Sequence, residues 1–278
     1  MRYNAELTKE RYDSFGEREW ERLEKDCLGQ LLYEVHLDVL KRYITEDMDV
    51  IELGAGAGRY TKDLVKLAKS LVTSDLSPVQ LDINQNKMEE LGLRDKVKAF
   101  LCLNINDLST IPDASYDAVV CIGGPLNYLF EREKNALQEM LRILKPGGLL
   151  VLGCISRLGA MIYYMGGVAY EKNLFGIKAT EWLFETGIQD AEHYPVENQH
   201  YVHMMTSAEL DQLFEGEAVE IVEKSAAGLF ALSTEEVLQE ARKDKELWEL
   251  LVKKEIECTK LPGALECGMN MIYTVRKL

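Results

Sequence analysis

The sequence predicts an α/β protein with a doubly wound, mostly parallel sheet, and three stretches carry that prediction. Asp49–Leu53 is a short apolar strand that runs into Gly54-Ala55-Gly56-Ala57-Gly58 and then into a helix. Leu71–Asp75 is a second strand that ends in an acid and is followed at once by a helix start. Leu149–Gly153 is wholly apolar, which suits a strand covered by helices on both faces. Strands alternating with helices in this way build parallel sheets.

The chain opens with Tyr3–Phe15, where Tyr3, Tyr12 and Phe15 stand in a polar setting. From about Glu17 to Ile44, Leu23, Cys27, Leu31, Leu32, Val35, Val39 and Leu40 recur at helical spacing. They predict one long amphipathic helix, or two broken at Gly29, and His36 on it reads as structural. The glycines after Leu53 let the backbone turn tightly and approach a ligand where a Cβ would collide. The next helix aims its free N–H groups into that turn. A dinucleotide fingerprint G-x-G-x-x-G counted from Gly54 needs its third glycine where Arg59 stands, and here it falls at Gly58. A P-loop is excluded, because no Gly-Lys-Ser/Thr comes after it.

Lys62–Lys69 continues that helix, and Ser77-Pro78-Val79-Gln80 reads as a capping box with proline at the first helical position. A third strand is expected near Val97–Leu103, before Asn104-Ile105-Asn106-Asp107, and a fourth over Ser115–Ile122. The helix Glu133–Leu144 is stopped by Pro146 and Gly147 ahead of the buried strand. Gly159–Gly167 is apolar and aromatic, which suits a pocket wall, a subunit contact or plain core. Ala179–Glu185 and Thr206–Phe214 read as helices and Val219–Glu223 as a strand. Ser233-Thr234-Glu235-Glu236 reads as the cap of one charged helix running to about Glu257, and Met269–Val275 as a closing strand.

The pattern E-x-G-x-G-x-G over Glu52–Gly58, the strand-end Asp75, Asp117 opening the fourth strand, and LRILKPGGLLVLG over Leu141–Gly153 come one after another in order. From about Val50 to Gly153 the chain thereby resembles class I S-adenosylmethionine-dependent methyltransferases. The resemblance implies a seven-stranded Rossmann-like sheet with a helical cap and S-adenosylmethionine as cofactor. It implies in-line displacement of a methyl group by a nucleophile on a small-molecule acceptor. It divides the chain into a helical arm (1–45), a cofactor-binding core (46–153), a substrate-side insertion (154–205) and a C-terminal completion of the sheet (206–278). Glu52, Gly54 and Gly56 would shape the loop at the methionine end, Asp75 would take the ribose hydroxyls and Leu76 would pack on adenine. Asn104 and Ile105 would meet the adenine amino group and a ring nitrogen, and Cys121 would lie near the sulfonium. Relatives usually carry an acid where Asn104 stands, and an Asn carbonyl accepts the same hydrogen bond. Tyr12 would cover the cofactor if the N-terminal arm folds over it, as it does in many relatives; a frayed arm is the alternative.

The residues after the fourth strand set other methyltransferase types aside. Gly123-Gly124-Pro125-Leu126 lacks the Asn/Asp-Pro-Pro-aromatic run of base-flipping DNA enzymes, and no carboxylates stand there for a magnesium-dependent catechol-type site. Asn127 and Tyr128 suit either a substrate-facing pair or a helix cap and a packing aromatic. His193, His200 and His203 fall close together, but strand positions three apart face opposite sides, so His200 and His203 make poor co-ligands and no metal is expected. His203, just before the capping box Thr206–Glu209, is the candidate to orient or deprotonate an acceptor; a structural histidine is the alternative.

The formal charge of -15 disfavours non-specific binding to nucleic acid or anionic lipid. Six cysteines without C-x-x-C spacing suit buried thiols in a reducing cytosol. No apolar run is long enough to span a bilayer, so the expected location is cytoplasmic, with a small-molecule partner. Methylation of a protein or RNA, and a non-catalytic binding or regulatory subunit, remain as alternatives. The intact glycine loop and Asp75 speak against the second.

Overall fold

The structure, a computed structural model, describes residues 2–195, 201–230 and 235–278, with the backbone alone at 23–25. Three helices open the chain: α1 (Ala5–Phe15), α2 (Arg18–Lys25) and α3 (Cys27–Tyr43). The break in the long amphipathic stretch falls at Asp26 rather than at Gly29. Asp26 is extended, and its carboxylate accepts the Gly29 N–H, so the side chain that caps α3 also ends α2.

The core alternates as expected: β1 (Asp49–Leu53), α4 (Thr61–Leu67), β2 (Ser70–Asp75), α5 (Pro78–Glu90), β3 (Val97–Cys102), β4 (Tyr116–Cys121), α6 (Glu133–Ile143) and β5 (Leu144–Ile155). β5 starts five residues earlier than its apolar run, because Lys145-Pro146-Gly147-Gly148 already lies in the strand. A register slip against β4 between Tyr116 and Ala118 absorbs it. After β5 come α7 (Arg157–Tyr164), α8 (Val168–Phe175), α9 (Ile177–Thr186) and the two-stranded ribbon of β6 (Ile188–Gln189) and β7 (Val202–His203). The chain closes with α10 (Ser207–Phe214), β8 (Val219–Ala227), α11 (Glu235–Arg242), α12 (Lys245–Cys258), α13 (Ala264–Cys267) and β9 (Asn270–Lys277). The single charged helix expected to reach Glu257 is therefore two. Asp244 breaks it, accepting the Leu247 N–H as the cap of α12. The cap expected at Ser233 and Thr234 lies outside the described residues.

The seven strands run in the order β3-β2-β1-β4-β5-β9-β8. All neighbours pair in parallel except β9, which is antiparallel to both β5 and β8. Because side chains alternate along a strand, each central strand feeds two cores. Val50, Ala118, Val120 and Val151 face α3 and α4, while Ile51, Leu53, Val119 and Leu150 face α6 and α10. The reversal of strand order between β1 and β4 leaves a crevice at their carboxyl ends, the usual place for a ligand in such sheets.

Gly159 on α7 is where the insertion meets the closing elements most tightly. A Cβ there would lie 1.9 Å from the Gly268 carbonyl oxygen, whereas one at Gly166 would meet nothing within 4 Å. Gly159→Ala is expected to lower stability by about 1–3 kcal/mol, the usual cost of overpacking. Gly166→Ala should stay within about 0.5 kcal/mol. Urea midpoints of the two variants, at unchanged slope, make the comparison.

Candidate active site

β1 ends in a buried carboxylate that fixes the turn after it. Glu52 is 2% exposed, and its Oε2 accepts the hydroxyls of Thr61 at 2.6 Å and Thr73 at 3.0 Å. Asn84 of α5 donates to the Thr61 hydroxyl at 3.0 Å, so β1, β2, α4 and α5 meet on one side chain. Gly58, at φ +93°, passes so close that a Cβ would fall 2.3 Å from Asn84 Oδ1. A Cβ at Gly54 (φ +68°) would fall 2.4 Å from Pro125. The loop is thus shaped by its anchor on one side and by the turn after β4 on the other.

Three of its N–H groups point inward. Ala55 donates to the Ser74 carbonyl at 2.9 Å, Gly56 to Asp75 Oδ2 at 2.8 Å and Gly58 to the Ala55 carbonyl at 3.1 Å. A diphosphate would want those donors. Engaged as they are, they face the loop's own framework; that of Gly56 holds Asp75 in place, and Asp75 Oδ1 accepts the Ser77 N–H at 2.8 Å. The Leu76 N–H is a third backbone donor to this carboxylate, and with about four lone-pair positions Asp75 keeps room to accept from a ligand hydroxyl. Burial pushes the carboxyls of Glu52 up to about 7 and Asp75 up to about 6.

Around this loop lies a cavity of about 960 Å³, open mouth included. Glu52, Gly54, Gly56, Asp75, Leu76, Asn104, Ile105 and Tyr12 all line it. Cys121 does not: it is fully buried in the core facing α6, and its neighbours Ile122 and Gly123 line the cavity instead. Strand alternation turns the thiol away. Asn104 Oδ1 already accepts the Tyr3 hydroxyl at 2.9 Å and the Asn106 N–H at 3.0 Å.

The N-terminal arm is docked. Gln80 Nε2 donates to the carbonyls of Tyr12 and Gly16, and Ser77 donates its hydroxyl to Asp13. Only half of the expected capping box forms, with Ser77 capping Gln80 while the Gln80 side chain holds α1. The Tyr12 hydroxyl donates to that of Tyr128 at 2.8 Å, and the two rings meet edge to face at 5.8 Å. Asn127 is a staple: it donates to the His203 carbonyl at 2.7 Å and accepts the Ile155 N–H at 2.9 Å.

A second cavity of about 1680 Å³, open mouth included, adjoins the first and shares Tyr12, Glu19, Arg22, Tyr60, Gly123 and Tyr128 with it. Tyr163 and Tyr164 from the apolar run after β5 line it, as do Val202 and Met204. His203 lines neither cavity. It comes after Val202 on β7, so its ring turns to the other face, where Nδ1 meets Glu133 Oε1 at 2.7 Å. The expectation that His203 faces the cleft is corrected accordingly. His193 stacks on Trp182 at 4.5 Å and pairs with Asp190 at 2.8 Å, and His200 lies outside the described residues. Among the described residues no group of three or more His, Cys, Asp or Glu is placed to hold a metal. Glu19, Arg22 and Tyr60 were not singled out in the sequence; only the place of Tyr60 just behind the glycine loop marked it.

A doubly wound sheet with strand order reversed between β1 and β4, a glycine turn and a strand-end acid defines the class: an α/β protein with a ligand crevice at the carboxyl ends of its strands. Residues 50–148 match the family described as Methyltransferase domain. The ubiquinone/menaquinone biosynthesis C-methyltransferase of Pasteurella multocida is 28% identical over 143 residues, which cover 50% of this chain and 47% of that protein. The demethylmenaquinone methyltransferase of Deinococcus radiodurans is 36% identical over 107 residues, covering 37% of this chain and 41% of that one. The chain thus spans about half the length of the curated relatives it matches. A Thermotoga maritima structure described as a possible histamine N-methyltransferase aligns over 97% of this chain and 99% of its own, with a TM-score of 0.57 at 18% identity. The [4+2]-cyclase SpnF aligns over 88% and 81%, with a TM-score of 0.54 at 18% identity. These two show the fold. Residues 50–148 are thus similar to methyltransferase domains, in a fold shared with S-adenosylmethionine-dependent methyltransferases, whose cofactor is S-adenosylmethionine. The glycine cradle and the remaining acceptor capacity of Asp75 fit that cofactor's adenosine. Among the described residues no helix is long and apolar enough to cross a membrane.

The raised carboxyls carry a sign. Glu52 and Asp75 hold their protons more tightly folded than unfolded, so their contribution to stability is complete below the unfolded range near 4 and is lost as pH rises through 6–7. Glu52→Gln is expected to flatten the fall in stability between pH 5 and 8. Urea midpoints of wild type and variant at four pH values across that window measure it.

Proposed function

We propose that the chain transfers a methyl group from S-adenosylmethionine, bound in the first cavity, to a small-molecule acceptor in the second. The observation that carries this is the shared wall: six residues belong to both cavities, so occupants of the two lie side by side. The cofactor, when bound, supplies a methyl group activated by its sulfonium for in-line displacement. Asp75 would hold the ribose through its two hydroxyls, with Gly54 and Gly56 at the methionine end and Leu76 and Ile105 beside the adenine. Tyr12 and Tyr128, joined through their hydroxyls, border both cavities and would help to position the two occupants against each other. The acceptor side is lined by Phe15, Tyr163, Leu32, Leu183 and Met204 among others, an apolar and aromatic surface suited to a ring-bearing molecule. The relatives named for ubiquinone and menaquinone biosynthesis agree with such an acceptor. The deep site and the net charge of -15 favour it over RNA.

Thermal unfolding with S-adenosylmethionine, S-adenosylhomocysteine or NAD tests the cofactor half. A ligand at a hundred times its dissociation constant adds about 2.7 kcal/mol, or on the order of 5–10 °C for a chain of this size. The two adenosyl ligands should raise the midpoint, NAD should not, and Asp75→Ala should lose the response. No shift in a cooperatively melting wild type would sink the enzymatic reading. Affinity should also depend on pH through Asp75, whose ionised form is the better acceptor for hydroxyls. S-adenosylhomocysteine is expected to bind more weakly as pH falls from 8 to 5 by titration calorimetry, with Asp75→Asn weak and nearly level across that range.

A further inference from the structure

We propose that His36 recognises the acceptor, its Nε2 taking a hydrogen bond from an O–H or N–H carried by an apolar, ring-bearing molecule in the second cavity. This rests on the assignment of that cavity to the acceptor.

α3 presents Leu28, Leu32 and His36 at successive turns, and all three line the second cavity. The imidazole Nδ1 lies 2.6 Å from the Leu32 carbonyl oxygen. A carbonyl only accepts, so Nδ1 carries the ring proton and Nε2 is left as a bare acceptor. His36 is 2% exposed, and that Nε2 has no partner. Among the described residues, it is the only unpartnered buried side-chain polar atom on a residue of this cavity. An orphaned buried acceptor is costly, and a leucine or phenylalanine would continue the apolar stripe of α3 without that cost. The ring also lies 5.6 Å from that of Tyr60, which belongs to both cavities. A donor held at His36 therefore stands beside the wall where the two occupants meet.

The groups around the ring keep it neutral. Burial pushes His36 down to about 4, and the charge of Arg22 on α2 acts in the same direction, Arg22 itself being paired with Glu19. Tyr60, whose ring lies against the imidazole, is pushed up by burial and stays a neutral phenol. At physiological pH the imidazole is thus a fixed acceptor rather than a proton carrier. A site that pairs a substrate donor in this way rejects the analogue lacking it far more strongly than an apolar pocket rejects a missing methylene.

The test uses the full chain saturated with S-adenosylhomocysteine and two probes, 2-naphthol and its methyl ether 2-methoxynaphthalene. 2-Naphthol should bind at least tenfold tighter than the ether to wild type by calorimetry. In protein carrying ¹⁵N-labelled histidine, the His36 Nε2 resonance should move with 2-naphthol and not with the ether. His36→Phe should level the two affinities, and His36→Gln, which keeps an acceptor at similar reach, should restore part of the difference. Equal binding of the two probes to wild type, failure of 2-naphthol to bind, or a preference that survives in His36→Phe would each overturn the proposal. The wild-type resonance decides between them even if a variant fails to fold. Failure of S-adenosylhomocysteine to bind wild type would overturn the methyltransferase reading itself. Intact binding without a 2-naphthol preference overturns the role of His36 alone.

Discussion

The structure depends on one buried carboxylate. Glu52 sits at the end of the central strand, where two threonine hydroxyls on neighbouring elements point at it and an asparagine from α5 completes the group. A charge in such a place is unfavourable unless hydrogen-bonded, and the upward shift of its titration shows that the hydroxyls compensate burial only in part. The arrangement fixes where α4 starts relative to β1. That position turns the loop N–H groups onto Ser74, Ala55 and Asp75 instead of into the cavity. A loop of similar sequence whose donors faced outward would suit a phosphate. This one suits hydroxyls.

The core was legible because burial on both faces leaves a strong trace. The later part of β5 is a wholly apolar run, β1, β2 and β4 each carry a short apolar stretch beside an acid, and each of these lies within a residue or two of where the sequence predicts it. Helix breaks were less legible. Asp26 and Asp244 each interrupt what reads as continuous periodicity, since one capping aspartate in an amphipathic stretch looks like any solvent-facing acid. The paired strands β6 and β7 are two residues each, too short to show an alternation, and the orientation of His203 depends on that alternation alone.

The site divides in the same way. Residues on the glycine loop and at strand ends could be named because backbone geometry ties them to the cavity. Cys121 failed because its neighbour, one position on, takes the cavity-facing place. Glu19, Arg22 and His36 come from helices whose sequence shows which face is apolar but not that a hollow lies behind it. His36 reads as one more member of the α3 core stripe until the missing partner of Nε2 is seen.

The docked arm has a consequence for occupancy. Tyr3 and Asn106 fill both lone pairs of the Asn104 carbonyl oxygen, the atom that the family resemblance assigns to the adenine amino group. A nucleoside taking that oxygen does so against a competitor tethered to the same chain. The effective concentration of such a competitor is set by the arm and does not fall on dilution. If a nucleoside binds through that oxygen, the affinity of the cavity would be a difference between two occupants of one acceptor, and the first residues of the chain would set it from a distance in sequence of about a hundred positions.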